Sequence, residues 1–303
     1  NSDWRLDDIR HTLQTDVYAS ETDWRKLLEY LLLGSGASFL LSGIFFFFAY
    51  NWEALSGATK IGIAGGAFLV TALAGIFAPL PRLPRLIMHT AAVTLIGAIL
   101  AVLGQVYQTG ANAYDFFLGW LILSLPWAAA LPFAPLYLVV VGLINAAFIT
   151  YTQQIGIELS FLVTGMLLFG CNLICWMVLW SWFRSRPRFN WLLQLVAFWA
   201  VIVATVNISA GAYDEYPTQL FYTVLFAALV YAGWALLALR ERSLYYLALV
   251  GGGSLVTLTF LLLRWAQFLD SFLLAGLFIL IGVTVLVHYL NRLNRSWHGQ
   301  PDN

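Results

Sequence analysis

Ten stretches of apolar residues, each close to the length of a helix that crosses a bilayer, dominate what this chain can fold into. They lie near residues 28–49, 61–79, 87–104, 116–131, 136–151, 159–182, 191–211, 220–239, 244–263 and 271–290. A transmembrane helix needs about 20 such residues, with a range of about 17–25. The alternative, burying them in a soluble core, fails on composition. Of 303 residues 61% are hydrophobic and 10% charged, against about 25% charged in a soluble domain. Too little polar surface remains to cover a water-soluble molecule of this size. The expected fold is all-α: a polytopic integral membrane protein with about ten transmembrane helices and cytoplasmic N- and C-termini.

The fourth and fifth runs are short, and Leu131-Pro132-Phe133-Ala134-Pro135 separates them. Two full spans, or a re-entrant pair within an eight-span protein, satisfy this pattern. Charge favours ten spans. With loops alternating between sides, thirteen of the fifteen Lys and Arg fall on one side: Arg5, Arg10, Arg25, Lys26, Arg82, Arg85, Arg184, Arg186, Arg188, Arg240, Arg242, Arg292 and Arg295. Lys60 and Arg264 fall on the other, with Glu53, Asp115, Glu158, Asp214, Glu215 and Asp270. The positive-inside rule makes the arginine-rich side cytoplasmic. Residues 1–26 then form a cytoplasmic leader, 27–290 the membrane domain and 291–303 a cytoplasmic tail. The leader carries Leu6, Ile9, Leu13 and Val17 at helical spacing, and Ser20 with Asp23 forms an approximate capping box. Its mixed charge differs from a cleavable signal peptide.

The chemistry the spans lack is informative. No titratable residue is expected at mid-membrane, where ion-coupled carriers place one. His89 and His288 sit near the cytoplasmic ends of the third and tenth spans. There is no HExxH, no GxSxG and no paired intramembrane aspartates, which argues against an intramembrane enzyme. Cys171 and Cys175, four apart in one span, read as small packing residues. No metal site and no cofactor are expected. The outer carboxylates Asp115, Asp214 and Glu215 have no accompanying His or Cys pattern.

Small residues are arranged in stripes. Gly34, Ser38 and Ser42 recur at four-residue steps in the first span, and Gly62 and Gly66 form a GxxxG in the second. Such stripes let helices approach closely, and packing within the bundle is the preferred reading over a dimer interface. Gly251-Gly252-Gly253 in the ninth span forms either a hinge or a close contact. A faint echo links Gly110-Ala111-Asn112-Ala113-Tyr114-Asp115 with Ala210-Gly211-Ala212-Tyr213-Asp214, a parallel repeat about a hundred residues apart. A five-plus-five inverted repeat is its rival.

Polar residues with aromatic neighbours collect on the outer face. Asn51 and Trp52 follow the first span and Lys60 begins the second. Gln105, Tyr107 and Gln108 leave the third, and Asp115 and Trp120 lead into the fourth. Aromatic faces beside amides and charges suit a polar ligand with apolar faces. Interface belts of Trp and Tyr, and helix caps of Asn, Gln and Asp, are the plainer explanation for any single one. The two glutamines leave an apolar helix without being needed as a cap, and folded inward they require partners.

Tyr50-Asn51-Trp52 with Leu55 and Lys60, then Gly104-Gln105-Val106-Tyr107, then Asp115 and Trp120, resemble the bacterial predicted-membrane-protein family called domain of unknown function 2157. The resemblance covers roughly residues 20–150. It implies that Asn51, Trp52, Lys60, Gln105 and Tyr107 belong together and that the location is a bacterial inner membrane. It implies no chemistry.

Two functions follow. In the first, Asn51, Trp52, Lys60, Gln105, Tyr107, Gln108, Asp115 and Trp120 bind or pass a lipid headgroup, sugar or metabolite from the extracytoplasmic face without ion coupling. In the second, the chain is a non-transporting scaffold or accessory subunit. The expected partners are the lipid bilayer, a small-molecule or lipid ligand, and a membrane protein or second copy of the chain. Nucleic acid is not among them.

Overall fold

A computed structural model describes residues 20–51, 54–154, 159–213, 216–265 and 271–298. Among these residues the structure is all-helical, with ten helices long and apolar enough to cross a membrane. They are α1 (Glu21–Asn51), α2 (Gly57–Phe77), α3 (Arg82–Tyr107), α4 (Ala113–Ala130), α5 (Ala134–Gln154), α6 (Phe161–Phe183), α7 (Asn190–Gly211), α8 (Pro217–Glu241), α9 (Leu244–Trp265) and α10 (Ser271–His298). Leu6, Ile9, Leu13 and Val17 of the amphipathic leader lie outside the described residues. Its capping box is present: Ser20 Oγ accepts from the Asp23 N–H at 3.2 Å, and Asp23 Oδ2 accepts from the Ser20 N–H at 3.3 Å.

The fourth and fifth spans are two separate continuous helices. α4 has 18 residues and α5 has 21. At about 1.5 Å per residue, 18 residues reach about 27 Å, close to the hydrocarbon thickness. Pro126 lies inside α4 without ending it.

The chain divides into two compact units. One comprises Asn1–Ala111 and Ile122–Leu136; the other comprises Asn112–Leu121 and Tyr137–Asn303. In the first, α2 and α3 pack antiparallel, and two glycines set their approach. A Cβ at Gly57 would lie 2.8 Å from Val106 Cγ1, and one at Gly75 would lie 3.0 Å from the His89 imidazole. Ala64 and Val102 are buried between them, joined by Ile61, Ile99, Val106 and, from α1, Ile44. Otherwise α1 is almost uncovered: none of its apolar window is buried.

The small-residue stripes do not perform the packing expected of them. Side chains added at Gly34, Gly62 or Gly66 would meet nothing within 4 Å, and Ser38 Oγ donates back to the Gly34 carbonyl at 2.8 Å. The glycines that face a neighbour on α2 are those at its ends.

In the second unit α7 is the most buried span. Gly165 and Gly211 press α6 against α7 at Asn207 and Leu162. Gly251 and Gly282 join α9 to α10 at Leu286 and Leu255, and Gly253 meets Val201 of α7 and Tyr231 of α8. The triple glycine therefore makes close contacts within an unbroken helix. On the arginine-rich side, Phe183 stacks on Phe189 at 4.1 Å, with Tyr137 5.1 Å from Phe183. Arg184, Arg186 and Arg188 lie over the rings of Trp180, Phe183 and Phe189 at 4.8, 5.7 and 4.9 Å. These cations rest on aromatic faces at the membrane edge, where cation–π attraction adds to their hydration.

Candidate ligand-binding site at the outer ends of the first three helices

The turn from α1 to α2 and the end of α3 meet through backbone geometry. Ser56 caps α2, its Oγ accepting from the Thr59 N–H at 3.2 Å. This starts the helix at Gly57, and the bare Gly57 lets Val106 seat against it. Val106 faces α2, and its sequence neighbours Gln105 and Tyr107 are exposed, Tyr107 by 67%. Lys60 lies one turn into α2, half-buried. The first turn of α2, with Lys60, and the last turn of α3, with Gln105 and Tyr107, therefore occupy one end of one unit. α1 reaches the same end through Ile44 and finishes at Asn51. Trp52 lies outside the described residues, as does the side chain of Asn51.

Gln108 has a backbone role that the sequence reading missed. Its φ of 45° and ψ of 49° are left-handed, and its N–H bonds the Gly104 carbonyl. The Thr109 N–H reaches the same carbonyl at 3.3 Å. Both bonds satisfy the helix end as a left-handed cap does. Gln108 is thus a cap through its backbone, and its side chain is exposed.

Asp115 and Trp120 belong to the other unit. Asp115 Oδ2 accepts from the Asn112 N–H at 3.2 Å, closing the first turn of α4. Trp120 lies edge-on to Phe116 at 5.8 Å. Nearby, the Gln154 Oε1 accepts from the Tyr114 N–H at 3.2 Å, and Tyr151 meets Tyr114 edge-on. The end of α5 is thereby tied to the start of α4.

An open-sided groove of about 410 Å³ runs between α1 and α2. Phe39, Leu40, Gly43, Ile44 and Phe47 line it from α1, and Ile63 lines it from α2. Its residues lie within the spans, on the Asn51 side of α1 and one turn from Lys60 on α2. Sequence reading passed over it because Gly43 falls outside the four-residue stripe.

A buried polar set was also missed. Asn145 of α5 and Asn172 of α6 exchange amide hydrogen bonds at 3.0 and 2.7 Å. Each also donates to a carbonyl of its own helix, Val141 or Leu168, and the Trp199 N–H donates to Asn145 Oδ1 at 3.2 Å. Every amide hydrogen is used, which is the condition for burying such groups in a membrane. Neither asparagine is ionisable, so charge patterning does not reveal them; an asparagine midway along each of two consecutive apolar runs is the available signal. Cys171 and Cys175 are free and half-buried. Among the described residues no cluster of His, Cys, Asp and Glu suits a metal ion.

No curated protein and no solved structure matches the chain. Residues 10–137, which include α1–α4 and all eight candidate site residues, match the family described as "Predicted membrane protein (DUF2157)".

Proposed function

We propose that this chain is a bacterial inner-membrane protein that binds, or passes, a small amphiphilic ligand at the extracytoplasmic ends of α1–α3. One observation carries this reading: Lys60, Gln105 and Tyr107 share an end of the α2–α3 pair directly beyond the apolar groove. A cation, an amide and a phenol ring beside an apolar channel match a molecule with a polar head and an apolar body. Asn51, Trp52 and Gln108 extend the polar rim in sequence. Among the described residues no Asp, Glu, Lys or Arg occupies the middle third of any helix. Movement of the ligand, where it occurs, is therefore proposed to be uncoupled from ions.

Titration of the protein in nanodiscs with dihexanoyl phosphatidylglycerol and with octyl glucoside, followed by tryptophan fluorescence, tests the reading. Gln105→Ala and Tyr107→Ala should weaken binding about tenfold, the equivalent of one lost polar or stacking contact. Unchanged binding in both, with normal expression, sinks it.

The uncovered α1 favours a second reading, a non-transporting scaffold. Copurification of one stoichiometric membrane partner that is lost when the exposed face of α1 is changed, together with no binding of either amphiphile, would replace the first reading by this one.

A further inference from the structure

The groove between α1 and α2 has the dimensions and polarity of a seat for one acyl chain. Phe39, Gly43 and Phe47 stand at four-residue steps, so they form one row along α1, with Leu40 and Ile44 in the row beside it. The missing side chain at Gly43 opens the row between two phenyl rings. A Cβ there would meet nothing within 4 Å, so among the described residues no side chain fills the gap. Gly57 and Gly75, by contrast, are each filled by a neighbour from α3. From Phe39 to Phe47 the row is about 12 Å long, most of the depth of one leaflet of a hydrocarbon core about 30 Å thick.

The mouth of the groove is charged. Lys60 precedes Ile63 by three residues and so lies on the same face of α2, one turn nearer the outer surface. It stands in the first turn of α2, where the helix dipole also favours an anion. Lys60 is one of two cations that the charge pattern places on this side. An acyl chain lying in the groove brings its phosphodiester to the level of this turn.

We infer that the α1–α2 groove holds one phospholipid, its acyl chain over Gly43 between Phe39 and Phe47 and its phosphate at Lys60. Resting on the amphiphile-binding reading above, this names the ligand class as a long-chain anionic phospholipid of the outer leaflet.

Native mass spectrometry of the full chain in mild detergent, loaded with dioleoyl phosphatidylglycerol or with dioleoyl glycerol, tests it. One phosphatidylglycerol per chain should survive collisional activation that strips the others, and dioleoyl glycerol should be retained about tenfold less. Gly43→Leu, which fills the gap, should lower retention about tenfold, and Lys60→Gln should lower it for phosphatidylglycerol but not for dioleoyl glycerol. Gly233→Leu, at a position on α8 that also faces open space, should retain the lipid. Equal loss of lipid from the wild type, Gly43→Leu and Gly233→Leu would mean ordinary boundary lipid and overturn the inference. If Gly43→Leu keeps its phosphatidylglycerol while Tyr107→Ala loses the short-chain amphiphile, the groove assignment fails and the binding reading stands. If Tyr107→Ala and Gln105→Ala bind both amphiphiles normally while Gly43→Leu sheds phosphatidylglycerol, the groove stands and the wider site fails.

Discussion

The reciprocal pair of Asn145 and Asn172 shows how much a single amide matters inside an apolar bundle. Replacing Asn145 by Leu removes one partner and leaves the Asn172 amide and the Trp199 N–H without their acceptor. Unsatisfied buried groups cost about 1–3 kcal/mol, although measured membrane hydrogen bonds are nearer 0.6 kcal/mol on average. Asn145→Leu should destabilise by about 1–2 kcal/mol, and the double variant Asn145→Leu/Asn172→Leu should recover part of that loss. A double-mutant cycle of unfolding in detergent measures the coupling; strict additivity would mean that the pair is not a unit. Gln108 gives a second residue-scale test, because its left-handed backbone strains any residue with a Cβ. Gln108→Gly should raise stability by up to about 1 kcal/mol in thermal unfolding. Both roles escaped sequence reading for one reason. A hydrogen-bond partner twenty-seven residues away, and a φ of 45°, depend on the packed chain and not on residue type.

At the scale of helices, existence and order were legible and partnership was not. Hydropathy places all ten spans, since every residue facing lipid must be apolar whatever lies behind it. The stripes were less informative. Gly62 and Gly66 have the spacing of a helix contact, yet meet nothing within 4 Å, while Gly57, Gly75, Gly165 and Gly251, in no such motif, meet neighbours. A small residue permits close approach but does not choose the helix that approaches. This contrast predicts opposite signs. Gly165→Ala would drive its methyl into the Asn207 amide and should destabilise by about 1–3 kcal/mol, as overpacking does. Gly62→Ala adds a methyl to open space and should be neutral or stabilising by up to about 1 kcal/mol, from helix propensity alone. Chemical denaturation of both variants in the same detergent compares them directly. Equal destabilisation would place an unseen neighbour on Gly62 and revive the GxxxG contact.

For the whole molecule, the charge asymmetry carries the orientation, and the binding reading depends on it, because Lys60, Gln105 and Tyr107 must face away from the cytoplasm. Each loop's side follows from the parity of the spans before it, so single cysteines in three loops test both orientation and count. With Cys171 and Cys175 replaced by alanine, Ala54→Cys in the α1–α2 turn should react with a membrane-impermeant maleimide in intact spheroplasts. Ser185→Cys, beside the arginines that follow α6, should react only after permeabilisation. Ala130→Cys, at the end of α4, separates the two readings of the short spans. If α4 and α5 each cross, position 130 is cytoplasmic and labels like position 185. If they form a re-entrant hairpin, it labels from outside or not at all. Labelling of position 185 but not 54 in intact cells would invert the protein, put Lys60 on the cytoplasmic side with the phospholipid seat in the inner leaflet, and carry the thirteen clustered cations to the outer side. In either orientation the groove lies on the side that carries Lys60 and Arg264 and not the thirteen clustered cations, so one positive turn there can distinguish a phosphate from a neutral head.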